Sequence, residues 1–90
     1  LLVDKVISLD ETTIIGVKLD NRHETAQEFQ KTLTENGCII KTRLGLHDVC
    51  GNQCAPNGLI LLEVVNDIEA LDLRNDLKKI SGAEVQTMTF

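Results

Sequence analysis

Apolar residues recur along this chain with two alternating periods, near two in some segments and near 3.6 in others. From Thr12 to Leu19 the β-branched residues Thr12, Thr13, Ile14, Ile15 and Val17 dominate. Both alternating faces are apolar, with Ile15, Val17 and Leu19 on one and Ile14 with Gly16 on the other. That pattern predicts a strand in the middle of a sheet. Asp20-Asn21 ends it, and Asn21 followed three residues later by Glu24 predicts a helix start with a capping-box pair. Ala26, Phe29 and Leu33 then share one helical face, and Asn36-Gly37 predicts a left-handed helix end. Cys38 to Leu46 alternates again. Cys38, Ile40, Thr42, Leu44 and Leu46 fall on one side, and Ile39, Lys41, Arg43 and Gly45 on the other, the half-polar pattern of an edge strand.

Leu59 to Val65 is nearly all apolar and predicts a second central strand. Asn66 with Glu69 predicts the cap of a second helix, whose face is Ala70, Leu73, Leu77 and Ile80. Lys78 and Lys79 fall in its last turn, where positive charge suits the helix dipole, and Ser81-Gly82 ends it. Glu84 to Phe90 mixes polar and apolar residues, as an edge strand does. The order is βαββαβ. It predicts an α+β, ferredoxin-like domain over residues 12–90, a four-stranded antiparallel sheet with both helices on one face. The expected strand order, 4-1-3-2, puts the two apolar runs in the middle. Leu1 to Glu11 fits helix and strand templates equally. It reads as an N-terminal arm or extra element, either a swapped or partner-binding arm, or a terminal strand or the end of a preceding segment.

This fold leaves one sheet face bare, yet both central strands are apolar on both faces. A block of exposed Ile, Leu and Val marks an interface. We therefore expect a homodimer, or a tetramer built from dimers, unless the N-terminal arm covers that face. Size points the same way. Ninety residues with two aromatics, Phe29 and Phe90, make a thin aliphatic core, and small domains are often strengthened by pairing with a copy. The net charge of −5 argues against nucleic acid as this chain's direct partner. No apolar run reaches the roughly 18 residues of a membrane span. The start, Leu1 to Ile7, is too short and too early charged for a signal peptide, and it lacks an initiating Met, as a trimmed chain or a piece of a longer one does. Three cysteines are too few for a disulfide framework and predict a reducing, cytoplasmic setting.

Candidate chemistry concentrates between Arg43 and Gly58. The stretch holds two of the three cysteines, one of the two histidines and the only proline, and it reads as a long irregular loop. Topology places this loop at the same end of the sheet as the first βα turn. Asp20, Asn21, Arg22 and His23 thus share an end with His47, Asp48, Cys50 and Cys54, whereas Cys38 lies at the other. His47, Cys50 and Cys54 have the spacing H-x2-C-x3-C, whose imidazole and thiolates suit zinc, nickel, copper or iron. His23, Asp48 or a residue of a second subunit would complete the set. A Cys50–Cys54 disulfide switch is the alternative, and incidental thiols are the plain one. A Cys–His nucleophile has nothing to order it, and no glycine-rich phosphate loop is present, so we expect no enzyme. Arg43 and Gly45, with Asp20 and Asn21, form a candidate small-ligand site. Lys41 and Arg43 are equally well explained as a solvated strand face.

Several short motifs together resemble one family. They are Ile14-Ile15-Gly16-Val17, Leu33 to Gly37, Ile40 to Gly45 with Arg43-x-Gly45, Gly58-Leu59-Ile60-Leu61, Leu77 to Ile80, and Gly82-x-x-Val85. Over Thr12 to Phe90 the chain resembles the iron-only hydrogenase system regulators, small ACT-like domains of anaerobic bacteria. The resemblance implies an oligomeric, cytoplasmic regulatory module with a small effector. Nickel-responsive repressors carry a regulatory domain of similar fold with His and Cys ligands, an analogy of fold alone. The family pattern has no cysteine-bearing loop, so metal binding does not follow from it. Amino-acid-binding ACT domains show Asp-x-Pro-Gly after the first strand, where this chain has Asp20-Asn21-Arg22. Heavy-metal carriers place C-x2-C there, and this chain has no cysteine in that turn.

Overall fold

A computed structural model describes residues 12–50, 53–65 and 67–90, with side chains described outside 47–57 and 67. Residues 1–11, and with them the expected N-terminal arm, lie outside the described residues, as does the expected cap residue Asn66. The elements run β1 (Thr13–Leu19), α1 (His23–Glu35), a single 3₁₀ turn (Gly37–Ile39), β2 (Ile40–Cys50), β3 (Gln53–Val64), α2 (Asp67–Lys78) and β4 (Ala83–Thr89). The sheet order is β2-β3-β1-β4, the expected 4-1-3-2 read from the other edge, and every neighbouring pair is antiparallel. The fold is α+β of the ferredoxin-like class.

The core lies between the helices and one sheet face. Ile15 and Val17 of β1, and Ile60, Leu62 and Val64 of β3, point into it. Phe29 and Leu33 descend from α1, and Ala70, Leu73 and Leu77 from α2, with Ile39 and Ile80 closing the ends. All four apolar positions read for the second helical segment are buried.

The first helix corrects the sequence reading in three places. Arg22, not Asn21, is the N-cap residue, and it makes no side-chain cap bond. The start moves because Asp20 accepts the Arg22 backbone N–H at 3.0 Å and so forms the turn that precedes the helix. The helix phase moves too. Thr25, Phe29, Thr32 and Leu33 are buried and Ala26 is exposed. Thr25 and Thr32 fit the interior face because their hydroxyls bond nearby carbonyls, Ser81 at 3.3 Å and Glu28 at 3.0 Å. At the other end no left-handed residue appears. Asn36 has φ −118°, and its side-chain amide donates to the Thr32 carbonyl at 2.9 Å. Closed in this way, the chain passes directly into the 3₁₀ turn and needs no glycine cap.

The stretch read as an irregular loop is a β-hairpin. β2 continues four residues past Leu46 to Cys50, and β3 begins at Gln53. The register runs His47–Pro56, Asp48–Ala55, Val49–Cys54 and Cys50–Gln53. Proline is tolerated because β1 ends at Leu19 and its last β3 partner is Leu59, so among the described residues β3 from Gln53 to Gly58 pairs with no strand on that side. The register shift between Gly45 and His47 is a bulge that puts extra residues on β3, and Gly58 lies within it with φ +80°. From Leu59 outward the hairpin projects roughly 20 Å past the end of β1 at ordinary strand rise.

Candidate functional site

Three places gather unusual chemistry: the turn end of the sheet, the hairpin and the bare sheet face. The turn end is built by Asp20. Its backbone N–H donates to the Gly82 carbonyl at 2.9 Å, joining the β1–α1 and α2–β4 connections. Its carboxylate accepts the Arg22 Nε–H at 2.9 Å, and Arg22 Nη2 donates to the Ser81 carbonyl at 3.0 Å and to Ser81 Oγ at 3.3 Å. The buried Thr25 hydroxyl lies between two acceptors, the Asp20 carboxylate and the Ser81 carbonyl, and has one proton to give. Hydrogen bonds from Thr25 and then from the Arg22 backbone, helped by the guanidinium charge, hold the Asp20 carboxyl below its ordinary 3.8.

A carboxyl depressed in the folded state stabilises the fold above its unfolded pKa, and that stability is lost as pH falls through the folded value. The melting-temperature gap between wild type and Asp20→Asn should therefore be widest above pH ~4 and close progressively in stronger acid. Melting curves from pH 7 down to about 2.5 measure it. A gap that stays constant over that range would mean that the charge on Asp20 contributes nothing. The geometry makes this cluster a staple between connections, with its carboxylate and guanidinium already committed to each other and to Ser81.

The expected ligand residues separate accordingly. Asp20 belongs to the staple, Asn21 is exposed in the bend beside it, and His23 is the exposed first residue of α1. Arg43 is on the helix side of the edge strand. It donates to Gln30 Oε1 at 3.0 Å and stands 5.7 Å from the centre of the Phe29 ring. Gly45, two residues on, has open space where a side chain would be. Lys41 pairs with Glu63 at 3.5 Å, and Thr42 Oγ1 donates to the same carboxylate at 3.3 Å, on the bare face.

His47, Asp48, Cys50 and Cys54 lie in the hairpin, at the same end of the sheet as Asp20, with Cys50 and Cys54 on neighbouring rungs. Their side chains are outside the described residues. Cys38 is exposed in the 3₁₀ turn at the opposite end, as anticipated. Among the described residues no three His, Cys, Asp or Glu side chains converge as metal ligands would.

The bare face holds a concavity with an apolar floor. Ile14, Gly16 and Lys18 of β1, Leu59 and Leu61 of β3, and Glu84, Gln86 and Met88 of β4 line a groove of about 300 Å³. Cross-strand registers Gly16–Leu61 and Gly16–Gln86 put the glycine at its centre, and the missing side chain is what hollows the sheet there. A Cβ on Gly16 would stand 3.6 Å from a Leu61 methyl, an ordinary contact, so nothing steric requires glycine at that point. Sequence reasoning predicted the apolar face and overlooked the groove. The signal was there, in the glycine flanked by Ile14 and Lys18 on the outward side of β1.

No family model matches the chain, and no curated protein matches it. Among solved structures it is similar to an uncharacterized protein, TM1266, from Thermotoga maritima, with a TM-score of 0.67 and 16% sequence identity. The superposition covers 90% of this chain and 99% of that one. At that identity the likeness establishes the fold. No helix among the described residues is long and apolar enough to cross a membrane.

Proposed function

We propose that this chain is a small regulatory domain that works as an oligomer and takes an effector on the bare face of its sheet. Following the motif resemblance, we propose that the system it serves is that of iron-only hydrogenase regulation. The groove over Gly16 carries the reading. Among the described residues nothing covers that face, where Ile14, Leu59, Leu61 and Met88 stand around a hollow. Its polar rim carries Lys18 and Glu84, in register on adjacent strands.

Reduced full-length chain, purified without chelator or histidine tag, should give a dimer or tetramer by native mass spectrometry. The amphipathic probe 1-anilinonaphthalene-8-sulfonate should bind it, and Gly16→Phe, which fills the groove from its floor, should weaken that binding about tenfold, or roughly 1.4 kcal/mol. A monomer whose probe binding ignores Gly16→Phe would overturn the reading. The hairpin supports a second reading. It keeps His47, Cys50 and Cys54 within four adjacent rungs, and the same spectra serve as a metal assay. Zinc, nickel or iron retained by wild type and lost from the Cys50→Ser/Cys54→Ser variant would move a metal-sensing role to the front.

A further inference from the structure

We infer that the outer edge of β4 is the surface on which a second copy of this chain docks, by antiparallel β4–β4 pairing about a two-fold axis at Thr87. The inference rests on the self-association proposed above and names its interface. Phe90 N–H donates to the Thr12 carbonyl and Asp20 N–H to the Gly82 carbonyl, each at 2.9 Å, so both are hydrogen-bonded pairs of the β1–β4 ladder. Alternation between them turns the backbone groups of Glu84, Gln86 and Met88 toward β1 and those of Val85, Thr87 and Thr89 outward. Among the described residues those three outward residues face no other strand. The Ala83 N–H, next in the row, is taken by the Ile80 carbonyl at 3.2 Å. A two-fold axis at Thr87 uses the three remaining residues and no others. Val85 meets Thr89 of the second copy, Thr87 meets its own image, and Thr89 meets Val85, for about six backbone hydrogen bonds.

The two edges of the sheet differ in how they meet a copy of themselves. β4 keeps an unbroken register with β1 over all its residues and contains no proline. Its one charge, Glu84, would sit across from Phe90 of the second copy, with the two Glu84 residues roughly 20 Å apart. β2 is guarded. A register shift interrupts it between Ile40 and Thr42, and a two-fold axis near Thr42 would set Lys41 against Arg43 of the copy, like charges face to face. On β4 the pairing sets no like charges against each other, and it places Phe90 across from Glu84 and Met88 across from Gln86 of the copy. Met88 and Phe90, 57% and 72% exposed, lie at the end of the strand that the copy would cover. Pairing Gln86 with Met88 of the copy also carries the groove over Gly16 across the seam, giving the dimer one long trough in place of two short ones.

The test places charge on the proposed axis. Thr87 is exposed and its backbone bonds face outward, so Thr87→Lys and Thr87→Glu leave the β1–β4 ladder intact. Sedimentation should show each variant dissociating at concentrations at least tenfold above those at which wild type dissociates. An equimolar mixture of the two should regain a dimer that native mass spectrometry identifies as mixed. In wild type, the Val85, Thr87 and Thr89 amides should be protected from hydrogen exchange and lose protection on dilution. Oligomers that persist unchanged in both variants would overturn the β4 edge and leave the wider reading standing. A wild type monomeric at the highest concentration would overturn both. Protection that is independent of concentration and disappears when residues 1–11 are deleted would assign the edge to that segment and overturn the second copy as its occupant.

Discussion

Phe29→Ala is expected to cost about 3–5 kcal/mol, the usual range for emptying a fully buried aromatic site. Phe29 is 1% exposed and is the largest fully buried side chain in the domain. It is also the only aromatic inside, since Phe90 is exposed, and the aliphatic residues around it cannot swing in to fill the hole without leaving their own rotamers. A further fraction comes from Arg43, whose guanidinium stands over the ring at an exposed position, where such contacts contribute about 0.5–1 kcal/mol. A 90-residue domain has roughly 5–13 kcal/mol of stability in all, so the variant should lose about a quarter of it or more. Urea unfolding should show the midpoint falling with little change in slope, and the melting temperature should drop by about 15 °C or more. Phe29→Leu keeps most of the volume and should cost less than half as much. A loss below about 1 kcal/mol for the alanine variant would mean that α1 is not anchored through this residue.

That anchoring role was legible in the sequence because Phe29 and Leu33 recur at helical spacing, whichever exact residue starts the helix. The same robustness explains why the strand order came through. Two largely apolar runs, Thr12 to Leu19 and Leu59 to Val65, belong in central strands, and the half-polar runs belong at the edges. Finer positions failed where a local hydrogen bond competed with a propensity rule. Asn21 has a good cap side chain, but Asp20 one residue earlier takes the Arg22 N–H, so the helix begins later and Thr25 turns inward in place of Ala26. Asn36-Gly37 looks like a left-handed stop, but the Asn36 side chain closes the helix at negative φ. The Asp48–Asn57 segment failed for another reason. Gly51, Asn52, Pro56, Asn57 and Gly58 are turn formers by composition, and composition does not say that β1 has already ended beside them. With no third strand on that side among the described residues, proline and asparagine are acceptable in β3, and the hairpin runs on. That Asp20 and the hairpin share one end of the sheet was legible from the element order. The groove was not, because it arises from a glycine read only as part of a strand.

Gly58→Ala is expected to destabilise the fold by about 2–4 kcal/mol and to disturb the hairpin more than the core. Two terms add. At φ +80° an alanine costs on the order of 1–2 kcal/mol from its own Cβ against the following carbonyl. The added carbon would also lie 2.6 Å from the Leu19 carbonyl oxygen, which is backbone and cannot rotate away. Gly82 makes the instructive contrast. It too has positive φ, +93°, and a Cβ there would meet Asp20 Oδ2 and Arg22 Nη2, but these are side-chain ends that can swing into solvent at the expense of the staple. Gly82→Ala should therefore retain the ladder and lose the Asp20-dependent pH response, whereas Gly58→Ala must push β3 away from the end of β1. Amide exchange separates the two. In Gly58→Ala the amides of Val17 and Ile60 and of the hairpin residues from His47 to Cys50 and from Gln53 to Ala55 should lose protection while those of Ile15 and Leu62 keep theirs. The bulge is what lets β3 leave the four-stranded sheet and carry His47, Cys50 and Cys54 beyond it, so the same variant should scatter any chemistry the hairpin performs. Uniform loss of protection across the sheet would show instead that Gly58 holds the whole domain together, and that the hairpin is no separate arm.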